Sequence, residues 1–446
     1  MLKRKIGCLA LTAMLAAGIM AGCGGEDNSG KTQVTGAVTE APTPQATVTP
    51  EATPTPEPTL TPTPEPTKAE EVSKYEIPDV VMEAKKIPDT DAFKFTKDMK
   101  IGWNLGNTLD ASDCTWVDDE LKYESAWCGV ITMPKLIQSV KEKGFNTIRI
   151  PVSWHNHVSG EDFAISEVWM ARVKEVVDMA IDEGMYVILN IHHDVSESYY
   201  YPTSEYLDSS LHYVSSVWKQ IAEEFAEYDE HLIYETLNEP RMVGSNFEWW
   251  INPSDESCKD AIECINKLNQ AAVDAIRATA GNNPTRYIMV PGYDASPDGA
   301  LNAGFVLPQD TAENKLIVSV HAYTPYNFAL DEKGTSSFDS DKTADVRGIT
   351  EFMDKLYDRF IKNSIPVVIG EFGARAKSGN VQDRIDFSTA YIAAARARGI
   401  TCCWWDNNAF IGNGENFGLV DRASLKWRFE EIVSGLMKYA ESVKGN

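Results

Sequence analysis

The chain has few basic residues for its length. Among 446 residues, 41 are Lys or Arg and 66 are Asp or Glu, which gives a formal net charge of −25. This excess of negative charge argues against nucleic acid and against anionic membrane surfaces as partners. An uncharged polymer would be neither attracted nor repelled by this negative charge.

Metal-binding motifs are also missing. The seven His and eight Cys residues include no CxxC pair and no Cys/His group with the spacing of a zinc site. Cys402 and Cys403 stand in an apolar run, where we expect buried free thiols. Four other cysteines are close enough in sequence to form disulfides in an oxidising compartment. These are Cys114 with Cys128, and Cys258 with Cys264.

The apolar run at the N-terminus, Ile6 to Met20, is shorter than the ~20 residues of a membrane span. It follows three basic residues and precedes small ones, a pattern that predicts a signal peptide over residues 1–22. The end of this segment, Ala21-Gly22-Cys23, resembles a bacterial lipoprotein signal. It predicts lipidation of Cys23 as the first mature residue. The alternative is an ordinary signal with Cys23 incidental.

Residues 23–70 have almost no large apolar side chains, and prolines alternate with threonines over part of their length. Such a segment stays extended and cannot form a core, so it predicts a disordered linker. The interpretation is a secreted protein held at the cell surface, with membrane contact only through a lipid anchor. The catalytic domain is expected over residues 71–446, with 71–92 as an ambiguous lead-in.

From about residue 93 onward, apolar runs typical of buried parallel strands recur eight times. They are Met99–Asn107, Thr147–Trp154, Tyr186–His193, Leu232–Glu239, Arg286–Tyr293, Leu316–Tyr323, Pro366–Phe372 and Thr401–Asn407. Segments of helical period alternate with them, as in 167–184, where one apolar stripe recurs every three to four residues. Glycines positioned to end helices follow four such segments. These are Gly144, Gly184, Gly281 and Gly399.

Eight strand–helix units in roughly 350 residues predict an α/β fold of the (β/α)8 TIM-barrel type. An open doubly wound sheet is the alternative. That fold usually has a glycine-rich phosphate loop after its first strand, and the segment 102–107 lacks the required glycine spacing. In a barrel, catalytic side chains lie at the carboxyl ends of the strands, so polar residues at the ends of these runs are candidates.

Two glutamates carry the functional prediction. Glu239 ends the run Leu237-Asn238-Glu239-Pro240, and Glu371 lies in Gly370-Glu371-Phe372-Gly373. Hydrolysis of a glycosidic bond with retention of configuration requires two carboxyl groups about 5–5.5 Å apart. Either residue alone could be a rim charge or part of a turn, but the pair predicts a retaining glycoside hydrolase. Asn238 is placed to bind a sugar hydroxyl.

Arg149 lies between two isoleucines, where a charge needs a partner. It either bonds the nucleophile and keeps it ionised, or bridges to Glu235. His321 and Tyr323 share one strand face and can both reach the cleft, with Tyr323 on the nucleophile. His192 and His193 are expected on opposite faces of their strand, one of them at the sugar.

Aromatic residues supply candidate sugar platforms. Trp405 ends the last predicted strand and is our choice for a stacking surface. Trp116 and Trp127 are weaker candidates, and any of these rings could instead belong to the core. The adjacent pair Trp249-Trp250 follows the fourth strand, where it either lines the cleft or fastens its own loop.

In combination, these motifs resemble glycoside hydrolase family five, the cellulase family, over residues about 93 to 435. The opening Gly102-Trp103-Asn104-Leu105-Gly106-Asn107 is similar to its bacterial endoglucanase and xyloglucanase-like branch. The resemblance implies a (β/α)8 barrel, with Glu239 as acid/base and Glu371 as nucleophile. It implies a surrounding set of substrate-binding residues: Asn104, Arg149, His192, His193, Asn238, His321, Tyr323 and Trp405.

The resulting hypothesis is an endo-β-1,4-glucanase that acts on cellulose-like chains, as a monomer without metal or organic cofactor. Xyloglucan, mixed-linkage glucan and mannan remain open as substrates. Glu239 is expected to begin protonated, its pKa raised by Glu371 and by partial burial. Two other classes are a metal-dependent hydrolase using His192, His193 and His321, and a carbohydrate-binding surface protein without catalysis.

Overall fold

The computed structural model describes residues 74–377, 379–412 and 414–441. The predicted signal peptide, Cys23 and the linker up to residue 70 lie outside the described residues. Within the described ranges, no helix combines the length and the apolar character that crossing a membrane requires.

Eight parallel strands close into a barrel, in the spatial order β1-β8-β7-β6-β5-β4-β3-β2. They are β1 Ile101–Leu105, β2 Thr147–Ile150, β3 Tyr186–Asn190, β4 Leu232–Glu235, β5 Ile288–Pro291, β6 Leu316–His321, β7 Val367–Phe372 and β8 Thr401–Asp406. The predicted (β/α)8 fold is confirmed, with every strand inside its expected run. Several strands are shorter than expected because the apolar run continues past the last ladder hydrogen bond into a loop.

A helix follows each barrel strand. These helices are Pro134–Glu142, Glu167–Asp182, Leu207–Glu224, Glu256–Arg277, Pro297–Leu301, Thr343–Arg359, Val381–Arg396 and Glu430–Lys438. Three further helices lie outside this alternation: Asp91–Asp98, Tyr123–Ala126 and Tyr326–Ala329. Short 3-10 turns occur at Glu120–Lys122, His155–His157, Asn283–Thr285, Tyr293–Ala295 and Ile361–Asn363. Two small antiparallel ribbons pair Val158–Ser159 with Ala164–Ile165, and Val420–Asp421 with Lys426–Trp427.

The four predicted helix-ending glycines all adopt positive φ. The angles are +100° at Gly144, +65° at Gly184, +69° at Gly281 and +76° at Gly399. A residue with a Cβ would be strained in this left-handed conformation, so glycine ends each helix and turns the chain toward the next strand.

An apolar floor closes the amino-terminal end of the barrel. Phe95 and Met99, at the end of helix Asp91–Asp98, contact inward-facing side chains of the strands. Those contacts include Ile188, Ile233, Met289, Ile317, Val368 and Cys403. Toward the carboxyl ends the interior becomes polar. There Gly370 leaves room for two buried side chains, because a Cβ at this position would lie 3.1 Å from His321 Nε2 and 3.3 Å from Glu235 Oε1.

The lead-in segment from residue 74 packs along the barrel. Val80 N donates to the Tyr439 hydroxyl at 2.7 Å, and Lys85 N donates to Ala397 O at 2.8 Å. Ile87 lies against Gly399. These contacts pack residues 74–90 against the helices near the C-terminus.

The expected disulfides do not form. The six cysteines among the described residues are all free thiols. Cys258 and Cys264 lie six residues apart on one helix, about 9 Å along its axis, which exceeds the Cα separation a disulfide spans. Cys114 and Cys128 are free as well, and Cys402 and Cys403 are buried thiols as predicted.

Candidate active site

The two predicted catalytic glutamates meet at the carboxyl end of the barrel. Glu371 is the second-last residue of β7, and Glu239 stands four residues after β4. One carboxylate oxygen of Glu239, one of Glu371 and one ring nitrogen of His321 all lie within 4.8 Å of one another. This separation fits the two-carboxylate geometry of retaining glycosidases and is shorter than the 6.5–9.5 Å of inverting ones.

Both oxygens of Glu371 accept hydrogen bonds from the protein. Arg149 Nη1 donates to Oε1 at 2.7 Å, and the Tyr323 hydroxyl donates to Oε2 at 2.9 Å. The residue is only 5% exposed. Two donors therefore fix the position of this carboxyl group, with the Arg149 guanidinium in direct contact with it.

Arg149 bonds both Glu371 and Glu235, the two partners that the sequence left as alternatives. Its guanidinium is fully buried, and Nε and Nη2 also hold Glu235 Oε2 at 2.9 and 2.7 Å. Burial raises the pKa of Glu235, but the charge of Arg149 and the contacts with His321 and Ser319 outweigh it and lower the pKa to about 2. Two carboxylates thus share one arginine.

His321 lies between the carboxylates. Its Nδ1 is 2.9 Å from Glu239 Oε1 and 3.7 Å from Glu371 Oε1. Burial lowers the pKa of His321, but the charge of Glu371 and the hydrogen bonds to Glu235 and Glu239 raise it to about 10. The ring is therefore protonated near neutral pH.

The expectation that Glu239 begins protonated is wrong for the substrate-free protein. Burial raises the pKa of Glu239, but the hydrogen bond and the charge of His321, together with Arg241, lower it to about 2. His321 comes from a strand two positions away from β4, so its proximity to Glu239 could not be predicted from the sequence. The His321–Glu239 pair still holds one proton, on Nδ1, a hydrogen bond away from the carboxylate.

Two amide side chains hold Arg149 in place. Asn104 is fully buried, and its nitrogen donates to three strand carbonyls, while its oxygen accepts from Arg149 Nη1 at 2.9 Å. We therefore propose that Asn104 positions Arg149 instead of making the predicted contact with the sugar. Asn238 accepts from Arg149 Nη2 at 2.7 Å, which orients its amide nitrogen as the donor left for a sugar hydroxyl.

His192 and His193 do not point to opposite faces. Strand β3 ends at Asn190, so the alternation of a strand no longer applies, and the two rings lie 4.4 Å apart. His192 is parallel to the indole of Trp405 at 5.9 Å, and His193 lies 5.6 Å from Trp127. Together these four rings form an aromatic row.

The tryptophans divide into core and surface groups. Trp103 and Trp154 are fully buried, whereas Trp116 is 66% exposed. Trp405 is 6% exposed, and its ring edge packs on Gly106, where a Cβ would come within 2.7 Å. Trp405 therefore packs against His192 and Gly106, and Trp116 lies at the surface.

The three histidines of the metal hypothesis are divided between two clusters. Among the described residues, one potential three-ligand group contains Asp110, His192 and His193, and the other contains Glu239, His321 and Glu371. In the second cluster the Arg149 guanidinium lies 2.7 Å from Glu371, and its positive charge opposes a cation. In the first, the Asp110 carboxylate already accepts backbone N–H groups from Asn107 and Thr108.

Comparison with known proteins places the chain in a family. A family model described as Cellulase (glycosyl hydrolase family 5) matches residues 110–411, about two thirds of the chain. The chain belongs to glycoside hydrolase family 5. The match includes both glutamates and the side chains that bond them, which are Arg149, Arg241, His321 and Tyr323. Asn104, which bonds Arg149, lies just before the matched range.

Family 5 relatives cover most of the chain. Endoglucanase 1 from Ruminococcus albus is 44% identical over 79% of this chain and 82% of its own length. A family 5 lichenase from Caldicellulosiruptor sp. F32, solved as a mutant with cellotetraose, is 56% identical with a TM-score of 0.81, covering 82% of this chain and 100% of that one. A broad-specificity endoglucanase from Ruminococcus champanellensis with bound cellotriose is 43% identical, with a TM-score of 0.73, over 79% and 100% of the two chains. The protein is thus a glycoside hydrolase.

The family 5 site also contains residues that sequence reasoning missed. Ser319 donates to Glu235 Oε1 at 2.5 Å, and Asn190 donates to Glu235 Oε2 at 2.9 Å. The alternation of side chains along a strand could have identified both residues, because they point into the barrel beside Glu235. Arg241, two residues after Glu239, donates to its backbone oxygen at 3.0 Å and lies 3.4 Å from its Oε2. Its position two residues after Glu239 is a signal in the sequence that could have identified it.

Proposed function

We propose that this protein is a retaining endo-β-1,4-glucanase that hydrolyses cellulose-like β-glucan chains by double displacement. The observation that carries the proposal is the pair of carboxylates within 4.8 Å, one held by Arg149 and Tyr323 and the other by His321. The difference between their surroundings supports different roles for them. Glu371 is held in place by Arg149 and Tyr323, as suits a nucleophile, and Glu239 lies beside a protonated imidazole, as suits an acid/base.

In the first step, Glu371 attacks the anomeric carbon while Glu239 gives a proton to the leaving oxygen. The proton comes from the His321–Glu239 pair. The charge of Glu371 is a principal reason that His321 holds it. As Glu371 forms its bond to carbon it loses that charge, so the proton moves more readily from Nδ1 through Glu239 to the departing sugar.

In the second step, Glu239 acts as base toward water. His321 is now less basic because the esterified Glu371 carries no charge. Glu239 therefore accepts the water proton, and hydroxide attack releases the sugar with retained configuration. Glu371 regains its charge, and the proton returns to His321. Arg149 and Tyr323 stabilise the carboxylate that leaves.

Mixed-linkage β-glucan is the second candidate substrate. The solved structure described as a lichenase supports it, because that protein is 56% identical to this chain. Xyloglucan and mannan remain alternatives, and the broad-specificity endoglucanases among the similar structures support a cleft that accepts more than one glucan. The substrate-binding set comprises His192, His193, Asn238 and Trp405.

The proposal includes an extracellular location. Residues 1–22 act as a signal peptide, Cys23 carries the lipid, and residues 23–70 space the catalytic domain, 71–446, from the surface. The charge of −25 and an uncharged polysaccharide substrate agree with a protein that works as a monomer outside the cell. A Cys23→Ser variant that stays with the membrane fraction would refute the anchor.

The test is release of reducing sugar from carboxymethylcellulose, mixed-linkage β-glucan, xyloglucan and mannan. Glu371→Gln should lower the rate by about four orders of magnitude on every substrate that the wild type hydrolyses. Glu256→Gln is the matched control, because its side chain is 88% exposed on an outer helix, and it should behave as wild type.

Stereochemistry separates the two glutamates. With an activated cellobioside and azide, Glu239→Ala should give the β-glycosyl azide, whereas Glu371→Ala should give the α-azide. Newly released sugar from the wild type should have the β configuration by NMR. An α product, or full activity in Glu371→Gln, would refute the mechanism.

A further inference from the structure

The segment 414–419, which follows β8, lies beside Glu371. Phe417 packs against Tyr323 with 5.4 Å between the ring centres, and a Cβ on Gly373 would lie 3.0 Å from the Phe417 ring. Tyr323 donates its hydrogen bond to Glu371, and Gly373 is two residues after Glu371 in the chain. The segment therefore borders the cleft next to the carboxyl group that acts as nucleophile under the proposed function.

Glu415 is fixed on this segment through the backbone. Its carbonyl oxygen accepts from Asn407 Nδ2 at 2.6 Å, and the carbonyl oxygen of the next residue, Asn416, accepts from Ala376 N at 2.8 Å. Asn416 is buried, whereas Glu415 is exposed. The backbone is thus anchored at a residue whose side chain remains in contact with solvent.

The carboxyl group of Glu415 lies near the two catalytic carboxyl groups. Partial burial and the charges of Glu371 and Glu239 raise the pKa of Glu415. Burial and the charges of Glu371 and Glu415 likewise raise the pKa of Tyr323. Like charges perturb one another in this way only at short range, so the three carboxyl groups lie along one cleft. Among the residues that the structure describes, none forms a hydrogen bond or an ion pair with the Glu415 carboxyl group.

The cations near this part of the cleft are bound to other acceptors. Arg149 and His321 bond the two catalytic glutamates. Arg375, whose charge opposes the rise in the pKa of Glu415, lies 3.6 Å from Glu332 Oε2 and is itself buried. The surface that a substrate meets at Glu415 is therefore negatively charged.

We propose that Glu415 is a specificity-determining residue that disfavours glucan chains carrying anionic substituents. This inference rests on the proposed function, because it requires a β-glucan chain to bind along the cleft. An uncharged glucan brings only hydroxyl groups near the Glu415 carboxylate, whereas a carboxylated glucan brings a like charge that the carboxylate repels. Repulsion of the wrong partner is a common source of specificity.

The experiment compares two soluble cellulose derivatives whose substituents are similar in size. Hydroxyethylcellulose is uncharged, and carboxymethylcellulose carries one negative charge on each substituent. Wild type, Glu415→Gln, Glu415→Asp and Glu256→Gln are assayed on both, at neutral pH, in low salt and in high salt. Glu256→Gln is the matched control, because it also removes one negative charge but does so on an outer helix, where the side chain is 88% exposed.

In Glu415→Gln, the kcat/KM for carboxymethylcellulose relative to that for hydroxyethylcellulose should rise about threefold in low salt, which is the repulsion of like charges roughly 7 Å apart in water. KM should carry most of the change. High salt should remove most of the rise, because it screens exposed charges. Glu415→Asp keeps the charge and Glu256→Gln lies far from the cleft, so both should keep the wild-type ratio.

The two rates come from one preparation, so their ratio does not depend on how much of a variant is folded. If Glu415 only bonded a sugar hydroxyl, Glu415→Gln would slow both reactions and leave the ratio unchanged. That unchanged ratio, an equal rise in Glu256→Gln, or a rise that persists in high salt overturns the inference. A wild type inactive on both substrates overturns the proposed function, and the inference with it.

Discussion

Replacement of Arg149 by Met tests how the buried charges hold the site together. Met keeps most of the apolar bulk but removes the cation from Glu235 and Glu371. The chain would then bury two carboxylates without their common partner. Breaking a buried pair by removing one partner is strongly destabilising because the remaining charge stays desolvated.

The magnitude follows from Glu235. Its carboxyl is fully buried, and its pKa is lowered from 4.5 to about 2 with Arg149 as the principal stabilising partner. At 1.36 kcal/mol per pH unit this difference corresponds to about 3 kcal/mol of stability at neutral pH. That value agrees with the range measured for broken buried pairs. For a domain of this size it lowers Tm by about 4 °C.

The sign of the pH dependence separates charge from packing. Since the folded-state pKa of Glu235 is lowered, its contribution is present above pH 4.5 and is lost as pH falls toward 2. The difference in unfolding free energy between wild type and Arg149→Met should therefore shrink by about 2 kcal/mol between pH 7 and pH 3. Urea unfolding across that range measures it.

Arg398→Met is the control. Arg398 is also buried and pairs with Asp354 at 2.9 Å, but that carboxylate is 39% exposed, so water can solvate it when the arginine is lost. We expect about 1 kcal/mol or less. A loss in Arg149→Met that is below about 1 kcal/mol, or that is the same at pH 3 and pH 7, would refute the electrostatic account.

Three further variants test other parts of the molecule. Tyr323→Phe removes a hydrogen bond to Glu371 and should lower kcat about 10- to 100-fold, with Tm nearly unchanged; an unaltered kcat contradicts this. His321 has its pKa raised from 6.5 to about 10, so its contribution to stability is complete below pH 6.5 and lost toward pH 10. His321→Gln should flatten that alkaline decline in urea unfolding, and an equal slope would refute it. Gly281→Ala should destabilise more than Gly184→Ala, because only the former places a Cβ 2.3 Å from a backbone carbonyl oxygen; equal Tm losses would contradict this.

Much of the barrel could be predicted because its signals are local. Continuous apolar runs such as Val187-Ile188-Leu189 indicate strands covered on both faces, and a glycine such as Gly184 marks a helix end by its own backbone freedom. The two glutamates were recognisable because a strand followed by proline or glycine leaves its last side chains at the rim. None of these inferences needed a residue far away in sequence.

The failures concern pairs of residues that are close in sequence but whose side-chain positions depend on the backbone between them. Cys258 and Cys264 are close in sequence but lie on different turns and faces of one helix, so proximity along the chain did not predict pairing. His192 and His193 lost their strand alternation because β3 ends before them. In both cases the sequence pattern did not show how the backbone positions the two side chains relative to each other.

The sequence by itself determined the order of the strands, the helix ends and the identity of the two carboxyl groups, because each depends on neighbours within a few residues. Only the tertiary structure decided where the protons lie. His321 from β6 and Arg149 from β2 are 172 residues apart, yet both surround the same two glutamates. Their charges set the pKa of Glu239 and of Glu235. Electrostatic energy depends on distance in space and on burial, and barrel closure fixes both.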